Sequence, residues 1–511
     1  DPPRYPRARD RYASRPTPNT QDGPRARRMT TPASTTAPAD ALTAPLMLSV
    51  SGCRGIVGAS FTPITIARYT AAAAHHLRRS ARSDTPRIVL ARDGRTSGET
   101  AAPIVAGTLR AAGCRVIDIG IATTPTAGIM VQHHAADGAV VITASHNPGQ
   151  WNGIKVITRR GAAPPPEEAD AIIEHFKNAE PEFADHEHLG TTVGDDTAAH
   201  VHVARILDAL ETLTPLDAVR AQGFRVLVDP VNGSGARGAR LLLEALGAEP
   251  ILVNEHPVGV FAHPPEPTRE NLRSLGTHIT SSRAALGVAQ DPDADRLALL
   301  DATGHYLGEE YTLALAAWSL LDATPQHQRN GVTLAANLST SRMIDDIAER
   351  FGAAVHRTPV GEANVAGWML TNNAPIGGEG NGGVIWPAVV PIRDSLSAIA
   401  LVLTLMARTG RSLEDLTADI PAYAIVKRKA PADPQLIPAL EPRLTDAFQN
   451  ARINASDGVR LDLEAPDNSG HAWIHVRPSN TEPIIRLIAE APNENAATDL
   501  LDTAAAALGI N

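Results

Sequence analysis

The sequence predicts an α/β protein with three related mixed-sheet α/β domains and a smaller C-terminal α+β domain. Three observations carry this. From Leu46 onward short β-rich runs alternate with helical patterns, which is the signature of βαβ units. The chain has 511 residues, and at about 150 residues per domain that length holds three to four domains. Over the last ninety or so residues strands come close together with flanking helices, a different rhythm.

The first cycle opens with the apolar run Arg87–Ala91, read as a buried strand, and a helix over 98–112. A strand at 114–119, a helix from about 125 to 134 and a strand at 139–143 complete it. The second cycle has a strand at 224–228, a helix at 235–246 and strands at 285–289 and 297–301. The third runs from a helix at 309–321 through a strand at 332–336 to a helix at 394–407. The last segment has strands near 424–427, 459–463, 471–476 and 484–489. The expected division is 46–200, 201–304, 305–418 and 419–511.

Residues 1–45 read differently. They carry eight arginines and many prolines without apolar periodicity, so they cannot bury a core and are expected to be a disordered tail. No stretch approaches the roughly 18 uninterrupted apolar residues of a membrane helix. The net charge of −10 disfavours a broad nucleic-acid face, and two cysteines, Cys53 and Cys114, cannot build a disulfide framework or a four-thiolate zinc site. The expected setting is the reducing cytoplasm, with no nucleic-acid or membrane partner. Lysine occurs only at 155, 177, 427 and 429, which makes Lys155 in a polar loop conspicuous.

Four polar loops punctuated by glycine or proline stand out, one per expected domain, in the position where loops on rigid scaffolds carry function. The first is Thr143–Lys155, TASHNPGQWNGIK, with Asn147-Pro148 and Asn152-Gly153 as turn signals. Its Ser145, beside His146, fits a nucleophile, a phosphate carrier or a turn residue; the G-x-S-x-G hydrolase frame is absent. The second is Asp291–Arg296, DPDADR. An EF-hand is excluded, because position 6 is Arg296 and position 12 is Ala302. Alternate spacing can still turn Asp291, Asp293 and Asp295 toward one cation, an incomplete oxygen site that suits Mg²⁺ sharing a phosphate oxygen.

The third loop, Gly377–Gly383, contains a literal G-x-G-x-x-G. Val384-Ile385-Trp386-Pro387 follows rather than a helix, so no helix N-terminus is offered to a pyrophosphate. What remains is a glycine-framed Glu379 and Asn381, able to hydrogen-bond sugar hydroxyls. The fourth is Arg477–Arg486, RPSNTEPIIR, where Arg477, Ser479, Asn480 and Thr481 place a guanidinium, two hydroxyls and an amide within five residues, with Arg486 close behind. No aromatics interleave, which points to one small phosphate.

Together, and in this order, the four loops resemble those of the α-D-phosphohexomutase family: phosphoglucomutase, phosphomannomutase and phosphoglucosamine mutase. TASHNP with NGIK resembles the phosphoserine loop, DPDADR the metal loop, GGEGNGG the sugar-recognition loop and RPSNTEP the phosphate-binding loop. Ser51–Gly55 and ARDGRTS at Ala91–Ser97 resemble two further segments of the first domain. The resemblance spans Leu46 to the C-terminus and implies four domains around one cleft. It implies that Ser145 is a phosphoryl carrier, served by one Mg²⁺ per chain on Asp291, Asp293, Asp295 and the Ser145 phosphate. Phosphate then moves between C1 and C6 of a hexose through a bound hexose 1,6-bisphosphate. Arg296 is expected to offset phosphoserine charge, with His146, Lys155 and Arg54 in the catalytic group. Glu379, Asn381, Arg477, Ser479, Asn480, Thr481 and Arg486 are expected to bind a sugar phosphate, in a monomer or homodimer.

Departures bear on the sugar. Gly383 stands where some members carry histidine, Asn480 where many carry glycine, and Cys53 where an aliphatic residue is usual. GEGNGG with RPSNTEP looks most like the phosphoglucosamine-mutase branch, so that activity is expected first and phosphomannomutase/phosphoglucomutase second. A sugar-phosphate phosphatase and a non-catalytic binder are the readings from other classes.

Overall fold

The computed structural model describes residues 46–431, 436–465, 470–478 and 484–510. The expected disordered tail, 1–45, and the site residues Ser479, Asn480 and Thr481 lie outside the described residues.

Four sheets follow one another along the chain. The first has seven strands in the order Met47–Ser49, Gly52–Ile56, Trp151–Thr158, Gly138–Ile142, Arg87–Arg92, Arg115–Ile121, Thr192–Gly194. The second has five, ordered Tyr306–Gly308, Leu297–Asp301, Leu286–Gln290, Arg225–Asp229, Glu249–Leu252. The third has four, Ala354–Thr358, Thr333–Asn337, Gly377–Glu379, Gly383–Ile385. All three are mixed: parallel strands joined through helices, then an antiparallel return strand. The fourth sheet is antiparallel throughout, in the order Ala424–Pro431, Ile484–Ala491, His471–Pro478, Val459–Glu464, Arg452–Asn454. Strands such as Gly138–Ile142, GAVVI, are buried along their whole length, as parallel strands covered on both faces must be.

One topological fact places the function. In each of the first three sheets a hairpin joins neighbouring antiparallel strands, and a polar loop is that hairpin's connection: 143–150, 291–296 and 380–382. In the fourth sheet Arg477 and Arg486 stand opposite each other on neighbouring antiparallel strands. The first loop is shorter than the sequence suggests. Trp151–Lys155 belongs to the strand Trp151–Thr158, and Asn152-Gly153 is not a turn. Gly153 sits in this strand because a Cβ would press on the carbonyl oxygens of Cys53 and Thr143.

Several helix starts are capped by side chains. Thr62, Thr123 and Asn493 each accept a backbone N–H from the first turn, and Asp394 accepts two, from Leu396 and Ser397. One apolar core runs without a break through the first three units, from Val89 to Ile420. The C-terminal unit has its own core, built from residues such as Leu444, Leu461, Leu487 and Leu501. It meets the third unit through polar contacts: Arg460 Nη1 to the Leu338 carbonyl at 2.5 Å, and Ser339 Oγ with His475 Nδ1 at 2.8 Å. No helix among the described residues is long and apolar enough to cross a membrane.

Candidate active site

A cavity of about 590 Å³ opens between the first, third and fourth units. Ser51, Arg54 and Lys155 line it from one side, Glu362 and Arg393 from another, Arg477 and Arg486 from the third.

The serine loop is built around Arg95. This arginine is 1 % exposed and donates to four backbone carbonyls, those of Ser145 (2.5 Å), Asn147 (2.7 Å), Pro148 (2.8 Å) and Trp151 (2.9 Å). Asp93, fully buried, accepts from Arg95 Nε at 3.0 Å and from Thr143 Oγ1 at 2.7 Å. Thr143 Oγ1 in turn accepts the Ser145 N–H at 2.9 Å. Within this scaffold Ser145 takes a left-handed backbone, φ 49°. Its hydroxyl donates to Asp291 Oδ2 at 2.7 Å, so the first and second loops meet.

Asp291, Asp293 and Asp295 are fully buried, and their ligand oxygens lie within 4.8 Å of one another, the one such acidic or histidine group among the described residues. Asp291 Oδ1 accepts the N–H groups of Asp295 and Arg296. Lys155 Nζ donates to Asp293 at 2.6 Å and to Asp295 at 3.0 Å, and Thr124 Oγ1 donates to Asp293 at 2.5 Å. Oδ1 of Asp293 and Oδ1 of Asp295 accept from no described residue. Burial, reinforced by Asp295 and Asp293, drives the Asp291 carboxyl well above its ordinary value. Against the upward push of burial, Arg393, Lys155 and Arg296 hold Asp295 low. Three buried carboxylates, two of them with an oxygen that accepts from no described residue and one driven toward its neutral form, have the donor chemistry of a divalent-cation site.

The positive groups are arranged around this cluster. Burial alone would lower Lys155, but Asp293 and Asp295 raise it, so it is an ammonium. Arg54 donates to Asn147 Oδ1 at 3.0 Å, and burial lowers it. Arg296 places Nε 3.9 Å from Asp295 Oδ1. The Arg296 charge, then burial, pushes His146 well below the usual imidazole value; its Nδ1 is buried without a partner, and Nε2 is 4.0 Å from Glu266.

The third loop joins through Arg393. Its Nη1 donates to Glu379 Oε2 at 2.6 Å and its Nη2 to Asp295 Oδ2 at 2.7 Å, which ties the glycine loop to the acidic loop. Glu379 also accepts from Asn337 Nδ2 at 2.8 Å and from Asn381 Nδ2 at 3.4 Å. In the fourth unit, Arg477 Nε pairs with Asp457 at 3.2 Å and faces the cavity with Arg486. The structure therefore gathers Ser145, His146, Lys155, Arg54, Arg296 and the three aspartates at one cleft with Glu379, Asn381, Arg477 and Arg486. Sequence reasoning missed Arg393, Glu362 and Thr124. Arg393, in PIRDS ten residues past the glycine loop, carries no motif; Arg95 was visible only as part of ARDGRTS.

A serine hydroxyl on a carboxylate cluster, ringed by buried cations in a cleft among α/β units, defines an enzyme of phosphoryl transfer. The comparisons agree. Residues 47–183, 200–304, 308–423 and 424–507 match, in order, the models of phosphoglucomutase/phosphomannomutase α/β/α domain I, domain II, domain III and C-terminal domain. The chain is 35% identical over 457 residues to a probable phosphoglucosamine mutase of Methanopyrus kandleri, covering 88% of this chain and 95% of that protein. It is 35% identical over 454 residues to a phosphoglucomutase/phosphomannomutase of Thermococcus kodakarensis, covering 88% and 96%. The fold is shared with a phosphoglucomutase/phosphomannomutase family protein of Burkholderia thailandensis, TM-score 0.75 and 24% identity, over 91% of this chain and 99% of that one. The chain belongs to the phosphoglucomutase/phosphomannomutase family. It is a phosphohexomutase, an isomerase that works by intramolecular phosphotransfer.

Proposed function

We propose that this chain interconverts the 6- and 1-phosphates of a hexosamine, with glucosamine phosphate as the first substrate and more than one of glucosamine, glucose and mannose phosphates accepted. The observation that carries the reading is the 2.7 Å hydrogen bond between Ser145 Oγ and Asp291, which sets a nucleophilic oxygen against the acidic cluster. Ser145 carries the phosphoryl group and delivers it to a sugar hydroxyl, giving a hexose 1,6-bisphosphate. The sugar turns end for end and returns its other phosphate to Ser145.

Asp291, Asp293 and Asp295, with the Ser145 phosphate, would hold one Mg²⁺ per chain. When bound, it supplies neutralisation of phosphoryl charge. Lys155 and Arg54, both charged, donate to oxygens that gain charge, and Arg296 offsets the phosphoserine. Lys155 and Arg54 are also the leading candidates for proton transfer, and His146, next to Ser145 with its Nδ1 buried without a described partner, belongs to the same catalytic group. Glu379 and Asn381 read O3 and O4, the hydroxyls that superpose in both orientations, while Arg477, Ser479, Asn480, Thr481 and Arg486 hold the idle phosphate. The expected four-way division, 46–200, 201–304, 305–418 and 419–511, gives one loop to each domain, and the cytoplasm is the proposed setting, in a monomer or homodimer.

The phosphomannomutase/phosphoglucomutase reading is favoured by the name of the Thermococcus relative. A coupled assay compares kcat/KM for glucosamine, glucose and mannose phosphates, in wild type and Glu379→Ala, alongside phosphate release. A loss of about 10²-fold on all three sugars fits removal of one buried charged hydrogen bond. A loss confined to one sugar overturns the O3/O4 assignment, and phosphate release exceeding isomerisation makes the protein a phosphatase.

A further inference from the structure

The acidic loop is gripped from two sides by the first turns of two helices. On one side is Thr124, the first residue of the helix Thr124–His133. Its hydroxyl donates to Asp293 Oδ2 at 2.5 Å and its N–H to the Asp293 carbonyl at 3.0 Å. On the other is Ser395, the first residue of the helix Ser395–Thr409. Its hydroxyl donates to the Ala294 carbonyl at 2.7 Å and accepts from Gln290 Nε2 at 2.7 Å.

One side chain joins the two helices. His202, on the helix Ala198–Glu211, is fully buried, with Nδ1 2.9 Å from Thr126 Oγ1 and Nε2 3.0 Å from Asp394 Oδ2. Thr126 lies in the first turn of the first helix and shares a 2.6 Å hydrogen bond with its cap, Thr123. Asp394 is the cap of the second helix and accepts from Leu396 N–H, Ser397 N–H and the Ser397 hydroxyl. An imidazole with a partner at each end therefore spans the gap between the two grips, where an apolar side chain would fill space without fixing a distance.

We infer that His202 is a positioning residue for the acidic loop, setting the spacing of the helix starts that hold Asp293 and Ala294 and thereby the affinity of that loop for a divalent cation. It touches neither cation nor sugar and acts through Thr126 and Asp394. The inference rests on the reading that Asp291, Asp293 and Asp295 hold the cation. Outer partners that orient ligand carboxylates set metal affinity by about 10- to 100-fold, because ligand oxygens free to drift no longer converge.

The test measures Mn²⁺ binding to the full chain by electron paramagnetic resonance, with no sugar present, in wild type, His202→Ala, His202→Gln and Thr126→Val. Thr126→Val keeps the side-chain shape and so keeps the test alive if His202→Ala does not fold. The expected result is a Kd weakened about 10-fold or more in Thr126→Val and His202→Ala, with His202→Gln intermediate. At subsaturating metal kcat should fall in parallel, while KM for the sugar phosphate stays within about twofold. Folded variants that bind Mn²⁺ as tightly as wild type overturn this inference alone. A wild type that binds no Mn²⁺ overturns the metal reading and this inference with it.

Discussion

A Cβ on Gly383 would fall far inside van der Waals contact distance of the Arg393 Cδ, so the glycine leaves the space through which the arginine stem passes. The guanidinium at the end of that stem holds Glu379 and Asp295 together. Gly383, which stands out in the sequence as a departure from members with histidine there, is in the structure a condition for Arg393.

Replacing Arg393 by Met should leave two buried carboxylates without their shared cation. Breaking such a pair costs about 3–5 kcal/mol, so the variant should melt earlier and lose about 10²-fold or more in kcat/KM. Gly383→Ala should reproduce part of both losses by displacing the stem. Thermal melts and steady-state kinetics check this, and a Gly383→Ala protein with wild-type kinetics would refute the dependence.

Ser145→Ala should abolish turnover. Mass spectrometry of the wild-type protein should find one phosphate on the 143–155 peptide, and none in the variant. Removing the covalent carrier costs several orders of magnitude in rate. A phosphate on another peptide would sink the assignment.

Chelation should stop the reaction, and added Mg²⁺ should both restore it and raise the melting temperature, since a ligand bound only by the folded state stabilises it. Calcium should restore little activity, because its looser and higher coordination suits a compact phosphoryl site poorly. Equal rates with and without EDTA would count against Asp291, Asp293 and Asp295.

Acid should weaken the link between the third and fourth units through His475. Burial, helped by the Arg460 and Arg477 charges, pushes this imidazole from its ordinary 6.5 down to about 4, against the upward pull of the Asp457 carbonyl that accepts its Nε2–H; its Nδ1 accepts from Ser339. The unfolded chain takes up the proton below about pH 6.5 and the folded one only near pH 4. Stability is therefore unaffected above pH 7 and falls as pH drops from 6.5 to 4, by about 3 kcal/mol in all. Melting temperatures at pH 7.5 and 5.0 should show a larger acid drop in wild type than in His475→Gln; equal drops would rule it out.

Much of this was legible in the sequence because strands buried on both faces are written as apolar runs, RIVLA or GAVVI, and because loops that bind charge gather polar and glycine residues at the strand ends. The strand Trp151–Thr158 escaped because Asn152-Gly153 has the letters of a turn, whereas the glycine answers to two carbonyls that only the folded sheet brings near. The helix Pro63–Arg79 was silent because Ala71–Ala74 gives no contrast between faces. Arg393 and His202 make their contacts 98 and 192 residues away along the chain. No local pattern records such pairings.

The left-handed backbone of Ser145 has a consequence for the timing of catalysis. For a serine that conformation costs about 1 kcal/mol, and the four carbonyl bonds from Arg95 hold the loop in it. The hydroxyl is thus aimed at Asp291 once, when the chain folds, and no conformational entropy has to be surrendered there at each encounter with substrate. On the proposed mechanism the searching left to each turnover belongs to the sugar, while the serine oxygen proposed to receive its phosphate stays in place.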